Sequence, residues 1–129
     1  MIRHNKFTLG KKERLKSRKA IEGLFRNGKS FALFPFRVYY MQTVASAGLQ
    51  AGFGASSKSF KKAVDRNRIK RVTREAYRLL KKPLQERLEE KGCSLALFII
   101  YTGKELPEYQ VVAQKMGIIL QKLAKEAGV

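Results

Sequence analysis

Residues 58–80 read KSFKKAVDRNRIKRVTREAYRLL, and their periodicity organises the rest of the chain. Wound at about 100° per residue, this stretch sorts into two faces. Val64, Ile69, Val72, Ala76, Leu79 and Leu80 fall within an arc of roughly 160°, with Phe60, one turn earlier, about 40° beyond its edge. Arg66, Asn67, Lys70, Arg71, Arg74 and Arg78 fall within an opposite arc of about 140°. Arg66, Lys70 and Arg74 follow one another at i, i+4 and i+8, with Asn67 and Arg71 in the neighbouring row, and no acidic residue is expected to interrupt that face. Like charges at this spacing destabilise a helix by roughly 0.2–0.5 kcal/mol per pair, a cost that bound phosphates would remove. Asn67 adds a side chain that both donates and accepts, suited to base edges or 2′-hydroxyls. The plain alternative is a solvated helix face. The missing counter-charges and the broad apolar face behind the cations favour nucleic acid, although spacing alone does not separate RNA from DNA.

Working outward, a helix is expected from about residue 60 to 82. Upstream, residues 50–56 read as a strand whose Gly52 and Gly54 allow a close backbone approach. A turn is expected at 45–48. Residues 31–44 are rich in aromatic and β-branched types and read as one strand, with Pro35 marking an edge or a bulge. Ser17 caps a helix that runs to about Asn27 and stops at Gly28. Downstream, Pro83 suits the first turn of a further helical piece ending near Gly92. Residues 93–101 form a continuous apolar run, the mark of a buried strand. A last helix covers about 109–127. The order implies an α+β fold, a small sheet covered on one side by helices.

The chain has 129 residues, 28 Lys and Arg against 10 Asp and Glu, and a formal charge of +18. That length suits one domain. The hydrophobic fraction of 44% is ordinary for a packed core, so the charge is what needs a partner. It is not spread evenly. Residues 1–30 hold ten basic and two acidic side chains, and residues 58–82 hold eleven and two. Residues 31–57 hold Arg37 alone, and residues 83–129 hold six of each sign. RNA, DNA and an anionic membrane surface would all answer such a field. A membrane would need the apolar face of the long helix, which here is required for the core. No apolar run approaches the roughly 20 residues of a membrane span. The first residues lack the apolar core of an export signal, and the single cysteine, Cys93, allows no internal disulfide. A cytoplasmic protein is expected, with residues 1–12 a flexible basic tail on one RNA-binding domain.

Ser57-Lys58, Lys62-Ala63-Val64, Arg66-Asn67-Arg68, Lys70-Arg71 and Arg74-Glu75 together closely resemble the signature of the bacterial ribonuclease P protein subunit. The resemblance extends to Arg14-Leu15, the helix end from Phe25 to Gly28, the aromatic strand around Tyr39 and the apolar strand after the long helix. Ser59 and Lys61 stand where the family often has Lys and Gly. The resemblance implies a two-layer α/β sandwich of αβββαβα type, like a domain of ribosomal protein S5, with a left-handed βαβ crossover. It implies that the partner RNA cleaves the 5′ leader from precursor tRNA with Mg²⁺, which RNA and substrate hold. Carried over by position, Lys58, Lys62, Arg66, Asn67, Arg68, Lys70, Arg71 and Arg74 face the catalytic RNA. Ile21, Phe25 and Tyr39 line a cleft for the single-stranded leader, with Ile21 offering apolar contact where the family commonly has Phe. Core packing is the ordinary alternative for Phe25 and Tyr39. The implied partners are the catalytic RNA and precursor tRNA, with no DNA and no membrane.

The residue inventory argues against catalysis by the protein alone. Asp65 is the one aspartate and His4 the one histidine. A two-metal nuclease needs clustered carboxylates, and a metal-free one needs a paired acid and base. Glu86, Glu89 and Glu90 sit together beside Arg87 and Lys91 and read as surface pairing. Gly52-Phe53-Gly54 is too short for a phosphate loop, and Cys93 is expected to be buried and inert. No catalytic or metal-binding residue is expected. The competing function is a structural RNA-binding protein of ribosomal type, which shares the charge and the fold class.

Overall fold

The computed structural model describes residues 14–15, 17–43 and 48–129. The basic stretch 1–12, His4 and most of the turn expected at 45–48 lie outside the described residues. Ser17 opens the first helix, α1 (Arg18–Asn27), its hydroxyl accepting from the Ala20 amide at 3.3 Å. A cap of this kind contributes about 1 kcal/mol. Gly28 ends α1 with φ −78°, so its stop is not a left-handed turn. A Cβ there would lie 2.5 Å from the Leu24 carbonyl oxygen and 2.9 Å from that of Tyr40, and only a residue without a side chain lets the chain fold straight back into the sheet.

The stretch expected as one strand is a hairpin. Strand β1 (Lys29–Leu33) pairs antiparallel with β2 (Phe36–Thr43), and Phe34-Pro35 forms the connection. Pro35 has no amide to donate, so it interrupts a run that residue preferences alone would carry through. Its carbonyl accepts instead from the Thr102 amide at 2.7 Å. Strand β3 (Leu49–Ala55), helix α2 (Ala63–Leu80), helix α3 (Lys82–Lys91), strand β4 (Ser94–Tyr101) and helix α4 (Tyr109–Glu126) complete the order. The sheet order is β1-β2-β4-β3, with β2 and β4 antiparallel and β3 and β4 parallel. A parallel pair cannot be closed by a tight turn, and α2 with α3 is the connection that joins β3 to β4. The expected Gly92 stop is a left-handed C-cap, φ 65°.

Strand β4 is interior and has helices on both faces, which is why its sequence is apolar without alternation. Val38 and Tyr40 of β2, Leu95, Leu97, Ile99 and Tyr101 of β4 and Leu49 and Ala51 of β3 face α2, α3 and α4. The opposite parity, Tyr39 and Met41 of β2 with Ala96 and Phe98 of β4, meets Leu15, Ile21 and Leu24. Helices on one side describes α2–α4. The first helix lies against the other face.

Helix α2 is rolled by roughly 70° from the orientation that apolar periodicity suggests. Ile69, Thr73, Ala76 and Tyr77 are its buried residues, while Val64, Leu79 and Leu80 are exposed. Thr73 is tolerated inside because its hydroxyl donates to the Ile69 carbonyl at 2.8 Å, and Tyr77 packs edge-on against Phe53 of β3. Cys93, expected inside, is half-buried, its thiol 3.7 Å from the Lys91 carbonyl. Among the described residues no helix is long and apolar enough to cross a membrane.

Candidate nucleic-acid interface

The turn from β3 into α2 presents the first cations. The Ser56 hydroxyl accepts from the Lys58 amide at 3.2 Å, and the Ser56 carbonyl accepts from the Phe60 amide at 3.0 Å. Phe60 is buried against Tyr101, so the turn is pinned from beneath while Lys58 and Lys62 stay exposed. Arg66 fastens it from the helix side. Its Nη1 donates to the carbonyls of Phe60 at 2.7 Å and Lys61 at 2.9 Å. Rolling α2 toward the sheet brings Arg66 onto the flank of the buried face, half-buried, where it serves the backbone of this chain.

The same roll moves the outward centre of α2 to Asn67, Arg71 and Arg74, all exposed, with Arg68 beside them and Lys70 half-buried at the margin. Among the described residues none of these five makes an ion pair with a carboxylate. Glu75 flanks this face, and it is taken up by Arg78 one turn on, in a two-pronged contact. The hydrogen bonds from Arg78, aided by its charge, hold the Glu75 carboxyl below the usual carboxylate range. Arg78 therefore leaves the set of uncompensated charges, and Arg68, Lys70, Arg71 and Arg74 remain, with the neutral amide of Asn67 among them. Lys81 is 1% exposed and adds nothing to the outward field, although it counts toward the basic segment.

The second surface lies between α1 and the sheet. Phe25 is 42% exposed, and its ring sits edge-on to Tyr39 at 4.8 Å and to Phe98 at 5.3 Å between centroids. Ile21 packs on the same cluster. Phe25 and Tyr39 are thus in edge-on contact and partly open rather than closed within the core. Phe98 joins them and was not foreseen. It belongs to a strand read as buried throughout, and its face becomes evident only from its cross-strand partner Gly52. A Cβ on Gly52 would lie 2.6 Å from the Phe98 ring, and one on Gly54 3.0 Å, so the two glycines form the seat of that ring. The close approach expected at these glycines is therefore that of an aromatic side chain. Arg37 also lies on this face, its guanidinium carbon 5.9 Å from the Tyr39 ring centre. Partly exposed aromatic rings and a cation on one floor can stack bases and hold a backbone.

Among the described residues no three His, Cys, Asp or Glu side chains group as a metal site would require. The family model of ribonuclease P matches residues 9–124 of the chain. The ribonuclease P protein component of Porphyromonas gingivalis strain W83 is 36% identical over 122 residues, covering 92% of this chain and 88% of that protein. That of Chlorobium phaeobacteroides is 32% identical over 128 residues, covering 90% and 88%. The fold is shared with the Staphylococcus aureus RNase P protein, at TM-score 0.69 and 22% identity over 88% of this chain and 95% of that one. The RNase P protein from Thermotoga maritima gives TM-score 0.65 and 24% identity over 85% and 96%. A match that takes in α1, the whole sheet and the basic helix together, at over 30% identity to full-length relatives, leaves one assignment: the chain belongs to the ribonuclease P protein family.

Proposed function

We propose that the chain is the protein subunit that docks on the catalytic RNA of ribonuclease P and holds the 5′ leader of precursor tRNA while that RNA, with Mg²⁺, removes the leader. The observation that carries this is the exposed row of Asn67, Arg68, Arg71 and Arg74 without carboxylate partners among the described residues. Such a row binds a phosphate backbone largely through counterion release. Lys58, Lys62 and Lys70 extend it, and Arg66 supports it by fixing the turn that carries the first two. The leader, being single-stranded, suits the cleft of Ile21, Phe25 and Tyr39, with Phe98 as a further ring. Stacking accepts any base, which a subunit serving many leaders requires. Chemistry is assigned to the RNA, which with the substrate holds Mg²⁺, and the chain works where precursor tRNA is made, in the cytoplasm.

The test is reconstitution at low Mg²⁺. Purified protein added to its cognate catalytic RNA should raise cleavage of precursor tRNA well above that of the RNA alone. No gain would overturn the proposal, and stable co-sedimentation with ribosomal subunits instead would favour a ribosomal role. Phe25→Ala, once shown to fold, should weaken binding of leader-bearing precursor more than of mature tRNA. Equal loss for both returns Phe25 to the core.

A further inference from the structure

Strand register divides the α1 face of the sheet into cross-strand rows. One row is Ser30, Tyr39, Phe98 and Gly52, and the next is Ala32, Arg37, Ile100 and Gly54. The cluster under α1 takes Tyr39, Met41, Ala96 and Phe98, and includes no member of the second row. That row is left open: Ala32 and Arg37 are exposed, Ile100 and Gly54 half-buried. It lies at the end of the sheet from which β3 leaves for the turn bearing Lys58 and Lys62.

Across that open row Arg37 has the one polar head. It is also the one charged residue between positions 31 and 57. Among the described residues no carboxylate pairs with it. Its guanidinium instead leans back 5.9 Å from the Tyr39 ring centre, near the outer limit of about 6 Å for a cation–ring contact. The ring orients the group without consuming its donors. A planar fork so held matches the two free oxygens of a phosphodiester.

We propose that Arg37 is a phosphate-binding residue that extends the single-strand cleft along the open row Ala32–Arg37–Ile100–Gly54, gripping the linkage next to the base stacked beside Tyr39. The site takes a single-stranded polynucleotide backbone and carries it from the aromatic floor toward the cations at the start of α2. This deepens the proposed leader-binding role and rests on it.

The test uses the reconstituted protein–RNA complex and precursor tRNA whose leader carries one neutral methylphosphonate linkage, moved along position by position. Arg37→Ala, at an exposed site, should lower affinity for leader-bearing precursor by about five- to tenfold, the loss of one charge-assisted contact, and leave mature tRNA unchanged. At one leader position the neutral linkage should lower wild-type affinity to that of Arg37→Ala and cost Arg37→Ala nothing further. Arg37→Lys should recover part of the affinity, and only for the charged linkage. Unchanged leader affinity in Arg37→Ala, a loss shared by mature tRNA, or equal sensitivity of both proteins to every neutral linkage overturns the inference. Phe25→Ala in the same assay separates the two failures. If it still costs leader affinity while Arg37→Ala does not, the cleft stands and the phosphate site falls; if neither does, the cleft reading falls too.

Discussion

Gly52→Ala should destabilise the protein, and the reason lies across the strand rather than in the glycine's own backbone. A Cβ at position 52 would sit 2.6 and 2.7 Å from two atoms of the Phe98 ring and 3.2 Å from the Leu15 carbonyl oxygen. The ring cannot simply swing aside, because Phe25 stands edge-on to it at 5.3 Å, and the Leu15 segment is tied to β3 by its amide on the Ala51 carbonyl at 2.9 Å. Overpacking of this kind costs about 1–3 kcal/mol. Alanine returns about 0.4–1 kcal/mol by restricting the unfolded chain. The net loss is about 1–2 kcal/mol, or a fall in Tm of roughly 3–6 °C per kcal/mol for a domain of this size. Gly54→Ala approaches the same ring at 3.0 and 3.4 Å, at its outer edge, and should cost less than about 1 kcal/mol. Thermal unfolding of Gly52→Ala, Phe98→Leu and the double variant measures this directly. With the ring removed there is room for the methyl group, so the Gly52→Ala penalty should largely vanish, a coupling of about 1 kcal/mol or more. An undiminished penalty in the Phe98→Leu background, or none in the wild type, would refute the view that the glycine exists to seat the ring.

Arg66→Ala should loosen the turn before α2 by about 1–2 kcal/mol, the worth of two hydrogen bonds from a charged donor, and speed amide exchange at Phe60 in the free protein. Unaltered exchange there would return Arg66 to a purely RNA-facing role. Arg71→Ala should leave folding intact and reduce the slope of log affinity for the catalytic RNA against log salt by about one counterion; an unchanged slope removes Arg71 from the contact surface. Burial, reinforced by the Glu126 carboxylate that accepts its hydroxyl, pushes the Tyr40 phenol above its ordinary value of 10.0. A raised value means the folded state keeps this proton longer than the unfolded one, so its contribution is complete below pH 10 and is lost as pH rises beyond. Tyr40→Phe should flatten that alkaline limb of a stability–pH curve, and an identical limb in both proteins would contradict it.

Helix ends were legible because their chemistry is local. Ser17 caps whatever helix follows it, Pro83 fits a first turn, and Gly92 adopts φ 65° as a helix stop demands. The phase of α2 was not, because hydropathy undervalues a threonine that satisfies its own hydroxyl on Ile69 and a tyrosine that packs on Phe53. The consequence reaches the site: one roll of the helix gives Arg66 the part of a brace for the turn, and leaves Arg71 and Arg74 at the crest. The hairpin at Phe34-Pro35 was hidden inside a run of strand-forming residues. Phe98 was hidden by β4 being apolar on both faces, so that only pairing with Gly52 reveals which way it points.

One continuous run of chain, residues 49–74, links the two proposed surfaces. Its first part carries the glycines that seat Phe98 in the cleft, and its last part is the cationic face of α2. Between them the chain passes through a short turn held at three points: the Ser56 hydroxyl and carbonyl, the buried Phe60 ring and the Arg66 guanidinium. In the proposed function the catalytic RNA and the leader meet at one scissile bond, so the spacing between the surfaces proposed to hold them matters as much as either affinity. A flexible linker would let each surface bind and would forfeit that spacing. The family's arginine-rich signature contains the residue that prevents this, which gives Arg66 a reason to be arginine that does not depend on touching RNA at all.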